Sequence, residues 1–379
     1  MLKNLKIHIL PIVLIFSMSF LFTGCAGKPG ETGPGTQSSR SAAESTSESA
    51  PGTTTENATE PTAAPTTGAT APAPPIDLSL VKPDESGKIM VVMFHNFVET
   101  YVKGDKAYTT TFKEFEALLE TLYGSGYRLI SLSDYMNGNI TTPAGFIPMV
   151  FTFDDGTAGQ FNLVEENGRL SVNKQTAVGV LEEFNQKHPD FGLKGTFFVN
   201  LGNNTFPGKG TVAERLQYLI DEGFEIGNHT YTHINLKEAK SAGEIEKEIG
   251  GNQKKMYELI PDYTFTQFSL PYGVPSKDLQ QYVEKGEFEG VEYLNKGIVE
   301  VGWDPALSPF NAQLNLLSIH RVRASGITPV DADLAWWLKG LKRESQFVSD
   351  GDPGTVTVPK SREEAIDTGK LNGKKLVVY

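Results

Sequence analysis

The chain has 379 residues, 39% of them hydrophobic and 10% aromatic, enough to bury one large core or two ordinary ones. Its 34 Lys and Arg against 46 Asp and Glu leave a formal charge of −12, and no dense basic block occurs, which argues against a nucleic-acid partner. A single Cys excludes an intramolecular disulfide.

The N-terminus reads as an export signal. Lys3 and Lys6 precede an apolar run over residues 9–22, too short for a membrane span and closed by small residues. Leu21-Phe22-Thr23-Gly24-Cys25 resembles a bacterial lipobox, with Phe22 where Leu is usual. That resemblance implies cleavage before Cys25 and acylation of its thiol. Residues 1–25 are therefore expected to be a lipoprotein signal peptide. Residues 26–86 form a Ser/Thr/Pro/Ala-rich linker. Its first fifty residues lack aromatics, so they bury too little apolar surface to offset the entropy of ordering. Such a tether spans roughly 40 Å r.m.s.. It would carry a folded domain over 87–343 and an extension over 344–379.

Within that domain, apolar runs alternate with helical patterns. Strands are predicted at 88–94, 128–131, 149–153, 195–199, 224–227, 265–270, 297–302 and 316–320. Helices are predicted at 111–123, with Phe112, Phe115, Leu118, Leu119 and Leu122 at helical spacing, and at 175–186, 212–222 and 241–259. Ser241 and Glu244 form the capping-box pattern of the last. Residues 375–379 suggest a closing strand. Alternation of this length predicts an α/β fold, a distorted β/α barrel with its chemistry at the C-terminal strand ends.

Reactive groups fall at those ends. Phe153-Asp154-Asp155-Gly156 closes a strand with two carboxylates. Neighbours on a strand point to opposite faces, so one acid can bind a metal while the other stays free as a base. A solvated Asp-Asp-Gly turn is the plain alternative. His229 and His233 follow another strand at i and i+4, a spacing that on a helical turn lets both imidazoles meet one ion. Two His and one Asp leave positions open for water and substrate, the mark of a catalytic rather than structural metal site.

These motifs, with Gly195-Thr196-Phe197-Phe198-Val199, resemble the polysaccharide deacetylase (NodB-type) family, carbohydrate esterase family four. Met93-Phe94-His95 and the 111–132 stretch are similar to its poly-N-acetylglucosamine deacetylases. The likeness runs from Gly87 to about Leu341. It implies a (β/α)7-type barrel, with Asp154 as base and Asp155, His229 and His233 as ligands of a divalent metal. Zn²⁺ is the default, with Co²⁺, Ni²⁺ or Mn²⁺ suited to the same ligands. The implied reaction is hydrolysis of N-acetyl groups on an amino-sugar polysaccharide. With Cys25, the implied location is the outer face of a bacterial cell membrane.

Later motifs depart from the family pattern. Pro271-Tyr272-Gly273 fits, and the Tyr272 N–H is suited to an oxyanion, but Ser269 stands where the family carries the Arg that positions the base. Arg321 and Arg323 are the candidates to replace it. Trp303 is assigned to the acetyl pocket or to the core. His320, in a Leu-x-x-His context, is assigned as general acid or as a structural His. His95 ends the first strand and would touch substrate or the metal shell. The missing Arg keeps open a non-catalytic carbohydrate-binding lipoprotein, and an O-acetyl xylan esterase shares the motifs. A metal-free glycoside hydrolase would leave the His pair without a purpose. A non-haem iron oxygenase would read as many short antiparallel strands.

Overall fold

The computed structural model describes residues 76–104, 107–324 and 332–379. The expected signal peptide, Cys25 and most of the expected linker lie outside the described residues. The described residues form one compact unit.

Eight parallel strands build the central sheet. They are β1 (Met90–Phe94), β2 (Tyr127–Leu129), β3 (Ile147–Asp154), β4 (Thr196–Val199), β5 (Glu225–Asn228), β6 (Gln267–Ser269), β7 (Gly297–Val299) and β8 (Val322–Arg323). Their order is β7-β6-β5-β4-β3-β1-β8. The eight-residue β3 pairs β2 along its first half and β4 along its second. The sheet curls until β7 meets the chain entering β8, with Ile298 N–H bonding Leu316 O and Ile319 N–H bonding Ile298 O. This is an α/β distorted barrel, as expected.

Every residue of β1 and β3 is buried, which explains their unbroken apolar runs. Alternation sorts them between two faces. Met149, Phe151 and Phe153 pack outward with Phe94 and Phe197 beneath the helices, while Val150 joins Val91, Phe198 and Val299 inside the barrel. Phe153 stacks on Phe197 at 4.5 Å. Cutting Phe153 to Ala should cost about 3–5 kcal/mol. The inward set continues through Thr152 to Asp154, so the period of two delivers a carboxylate to the barrel's interior at its C-terminal end.

Four main helices cover the outer face. Helix α1 (Phe112–Gly124) is held by a full capping box between Thr111 and Glu114, and it buries Phe115, Leu119 and Leu122. Helices α2 (Ala177–Lys187) and α3 (Val212–Asp221) follow, each N-capped by a Thr. Helix α4 (Ala242–Leu259) starts at Ser241 as expected, but Glu244 turns its carboxylate to the Lys240 N–H, so only half of the box forms there.

The sequence reading needs four corrections here. Residues 316–320 are not a strand: Asn315 accepts from Leu317 N–H through its side chain and from Ser318 N–H through its backbone, a turn that delays the strand to Val322. Residues 375–379 do not close the barrel. Lys375–Val378 pairs in parallel with Thr355–Val358 in a separate two-stranded sheet. That sheet brings Val356 and Val358 against Ile89 and Val91. The expected linker ends early, because Asp84 and Glu85 are buried and Asp84 bridges to Val348. Two hairpins were also missed, Leu163–Glu166 with Arg169–Val172 and Lys285–Phe288 with Val291–Leu294. Their turns, Asn167-Gly168 and Glu289-Gly290, all have positive φ.

Candidate metal centre and active cavity

A cavity of about 400 Å³ opens at the C-terminal strand ends, and His95, Asp154, Asp155, His229, His233 and Tyr272 help line it. Asp154 ends β3 and is buried. Asp155 takes a positive φ of 82° and turns the chain away. Gly156 follows at φ 64°, where a Cβ would meet Thr205 at 2.9 Å, so a larger residue is excluded twice over. The two acids therefore face different partners.

Arg321 grips Asp154 with two parallel bonds, Nη1 to Oδ1 and Nη2 to Oδ2, both 2.8 Å. Arg321 is fully buried, and its Nε is tied to Glu300 O at 2.7 Å. Ser269 completes the clamp. Its Oγ accepts from Arg321 at 2.9 Å and donates to Asp154 Oδ2 at 3.0 Å. The Arg expected at position 269 is thus supplied from the chain before β8, and the small Ser leaves room for it. Burial alone would raise the Asp154 pKa, but the Arg321 guanidinium and then His229 hold it below the ordinary carboxylate value.

Asp155 faces the histidines. Its Oδ1 lies 3.5 Å from His229 Nε2 and 3.2 Å from His233 Nε2. One ligand atom from each of the three residues lies within 4.8 Å of the others. His229 Nδ1 lies 2.8 Å from Ser269 O, which favours a proton on Nδ1 and turns Nε2 towards Asp155. Burial pushes the His229 pKa down, but Asp154 and Asp155 lift it above the ordinary His value, a sign of the negative field in this corner. Asp155 Oδ1 is buried and accepts no hydrogen bond. Two imidazoles and a carboxylate with an unused oxygen fit a divalent ion and leave open positions.

The histidines do not sit on a helical turn. They lie in a loop in which Thr230 (φ 65°) and His233 (φ 63°) are both left-handed. Buried amides hold that loop. Asn200 donates to His229 O and Thr230 O, and Asn252 donates to Asn228 Oδ1, which accepts from Thr230 N–H. The Glu248 carboxylate takes the Thr232 N–H and hydroxyl. None of these supports was read from the sequence; the only local signal was an Asn closing each of two strands, Asn200 and Asn228.

His95 lines the cavity with Nε2 3.9 Å from Asp154 Oδ2. Its Nδ1 is buried without a partner, and its ring meets Tyr108 edge-on at 4.8 Å. Burial holds its pKa below the ordinary His value. Gln160 ties its carbonyl to that of Asp154 through a shared Nε2. Pro271 and Tyr272 form another wall, with Tyr272 at φ 61° and its ring 4.9 Å from that of His233. Arg323 stays outside the clamp, its guanidinium 5.1 Å from the Tyr108 ring.

Two predicted residues are not brought to this group. The parallel register pairs Val92 with Val322, so His320 sits towards the start of the strand and not at its C-terminal end. It is half exposed, with Nδ1 3.5 Å from Asp304, which also pairs with Lys88. Trp303 is 70% exposed, and its carbonyl accepts from Trp337. The cavity takes Val301 from that stretch instead.

The barrel thus sets a cluster of two His and one Asp, able to hold a metal ion, beside a carboxylate clamped by Arg321. Residues 143–291, which carry Asp154, Asp155, His229 and His233, match the polysaccharide deacetylase family model. No curated protein sequence matches the chain. Among solved structures, the chain is similar to a polysaccharide deacetylase from Bacillus cereus, at 19% identity over 67% of this chain and 69% of that one, with a TM-score of 0.50. It is likewise similar to the Streptococcus pyogenes deacetylase PplD in complex with acetate, at 16% identity over 67% of this chain and 98% of that one, TM-score 0.50. At these identities the likeness shows the shared barrel fold.

Proposed function

We propose that this chain is a metal-dependent deacetylase that hydrolyses N-acetyl groups on an amino-sugar polysaccharide at a bacterial cell surface. One observation carries the reading. Asp155, His229 and His233 converge while the adjacent Asp154 is held apart, ionised, by Arg321. The family match over the same residues supports it.

A divalent ion in the cluster would polarise the acetyl carbonyl and acidify water. Asp154, kept charged, accepts the proton of the attacking water. The Tyr272 N–H makes no hydrogen bond among the described residues and is free to meet the developing oxyanion. His95, in the cavity beside Asp154, is better placed than His320 to pass the proton taken from water on to the leaving amine. The Arg321 clamp supplies what Ser269 lacks and favours the catalytic over the binding-only reading.

Acetate release should be measured on N-acetylglucosamine polymers, peptidoglycan and acetylated xylan, after metal stripping and re-addition. Metal-dependent release from the amino-sugar polymers is expected, and release from xylan alone would replace the reading with an O-esterase. The anchor rests on Cys25. Cys25→Ser should move the protein from the membrane fraction to the medium, and unchanged membrane retention would reject lipidation.

A further inference from the structure

A second groove, of about 460 Å³, lies beside the active cavity and shares Leu270 with it. The register pairs Ser269 with Val299, so the groove takes Leu270 and Glu300 from the C-terminal ends of β6 and β7, the end of the barrel that carries the metal cluster. Its volume falls within the range of small-molecule sites, roughly 300–1,000 Å³. Gln280, Gln281, Asn315 and Ser318 give it amides and a hydroxyl, the groups that match sugar hydroxyls.

Its charge is one-sided. Glu284 and Glu300 line it, and no Lys, Arg or His does. Neither carboxylate forms an ion pair among the described residues. The Glu300 carboxylate accepts one hydrogen bond, from the Ser318 hydroxyl, and the Glu284 carboxylate accepts none among the described residues. A metal ion is a poor occupant, because Asp155, His229 and His233 are the sole described cluster of three ligand groups. A neutral N-acetyl sugar can meet the two carboxylates with hydroxyl donors but brings no opposite charge. A sugar carrying an ammonium gains a charge-assisted bond to either.

Resting on the deacetylase reading, we propose that this groove binds a protonated glucosamine residue of the same polymer, near the unit being deacetylated. Deacetylation leaves such a residue, so each turnover creates a better ligand for the next. The enzyme then extends existing deacetylated stretches rather than starting at random.

The test uses N-acetylglucosamine tetramers, fully acetylated or carrying one glucosamine at each defined position. For the wild-type chain, one mixed isomer should show a KM about fivefold below that of the acetylated tetramer, the scale of a partly exposed ion pair. Glu284→Gln should bring that ratio to one. By calorimetry, a fully deacetylated tetramer should bind wild type and bind Glu284→Gln and Glu300→Gln about fivefold more weakly, with the wild-type affinity falling as salt rises. Equal KM for every isomer, or tetramer binding indifferent to both substitutions, overturns the proposal. If no acetylated tetramer releases acetate, the deacetylase reading fails, and calorimetry still decides the groove.

Discussion

Asp154 and Glu85 are both buried carboxylates in one domain, at opposite ends of its sheet. At the C-terminal end, Asp154 meets a buried guanidinium through two hydrogen bonds and a Ser hydroxyl through a third. Just before β1, Glu85 meets the backbone N–H groups of Asp350 and Thr357, with the Asp350 carboxylate as its charged neighbour. Burial, and then Asp350, push the Glu85 pKa from 4.5 to about 8, whereas the Asp154 pKa stays below its ordinary value. Desolvation acts on both acids in the same direction. A fixed counter-charge separates them, and the fold places the charged one in the cavity, where the proposed reaction calls for a base.

The strongest way to break this comparison is to neutralise the clamped acid. Asp154→Asn should lower kcat by about 10²–10⁴ with the protein still folded; a loss below tenfold in acetate release would remove Asp154 from the base role. Next comes the clamp. Arg321→Met leaves a buried carboxylate without its partner and should destabilise the domain by about 3–5 kcal/mol, read by urea unfolding. Arg321→Lys keeps the charge but loses the paired geometry, and its kcat should fall about 10–100-fold.

The Glu85 region gives smaller effects. Between pH 4.5 and about 8 the folded chain holds the Glu85 proton and the unfolded chain does not, so stability falls as pH rises across that window. The wild-type Tm should drop by a few degrees between pH 5 and 8, and Glu85→Gln should flatten that part of the curve. An unchanged slope would mean that Glu85 titrates near its ordinary value. Asp350→Asn removes the second cause of the shift, and should move the midpoint of the Tm decline modestly to lower pH.

Local patterns were the legible part of this molecule. Strand alternation sends Val150, Thr152 and Asp154 to one face, and the apolar spacing of Phe112, Phe115, Leu119 and Leu122 marks a helix where one forms. Asp155, His229 and His233 were grouped by their strand-end positions, although the helical turn invoked for the two His is a loop held by Asn200, Asn252 and Glu248. Long-range substitutions were legible only as options. Ser269 announces a missing Arg, but only the closure of the barrel selects Arg321 over Arg323. The strand expected at 316–320 starts later because of the Asn315 turn, which no apolar period records, and this leaves His320 ahead of it.

Metal content measured beside acetate release, for Asp154→Asn and Asp155→Asn under the same conditions, tests the division of labour between the adjacent acids. Asp154→Asn should hold about one divalent ion per chain and release acetate about 10²–10⁴-fold more slowly, while Asp155→Asn should lose the ion. An Asp154→Asn protein stripped of its ion, or an Asp155→Asn protein that keeps both ion and activity, would contradict the account.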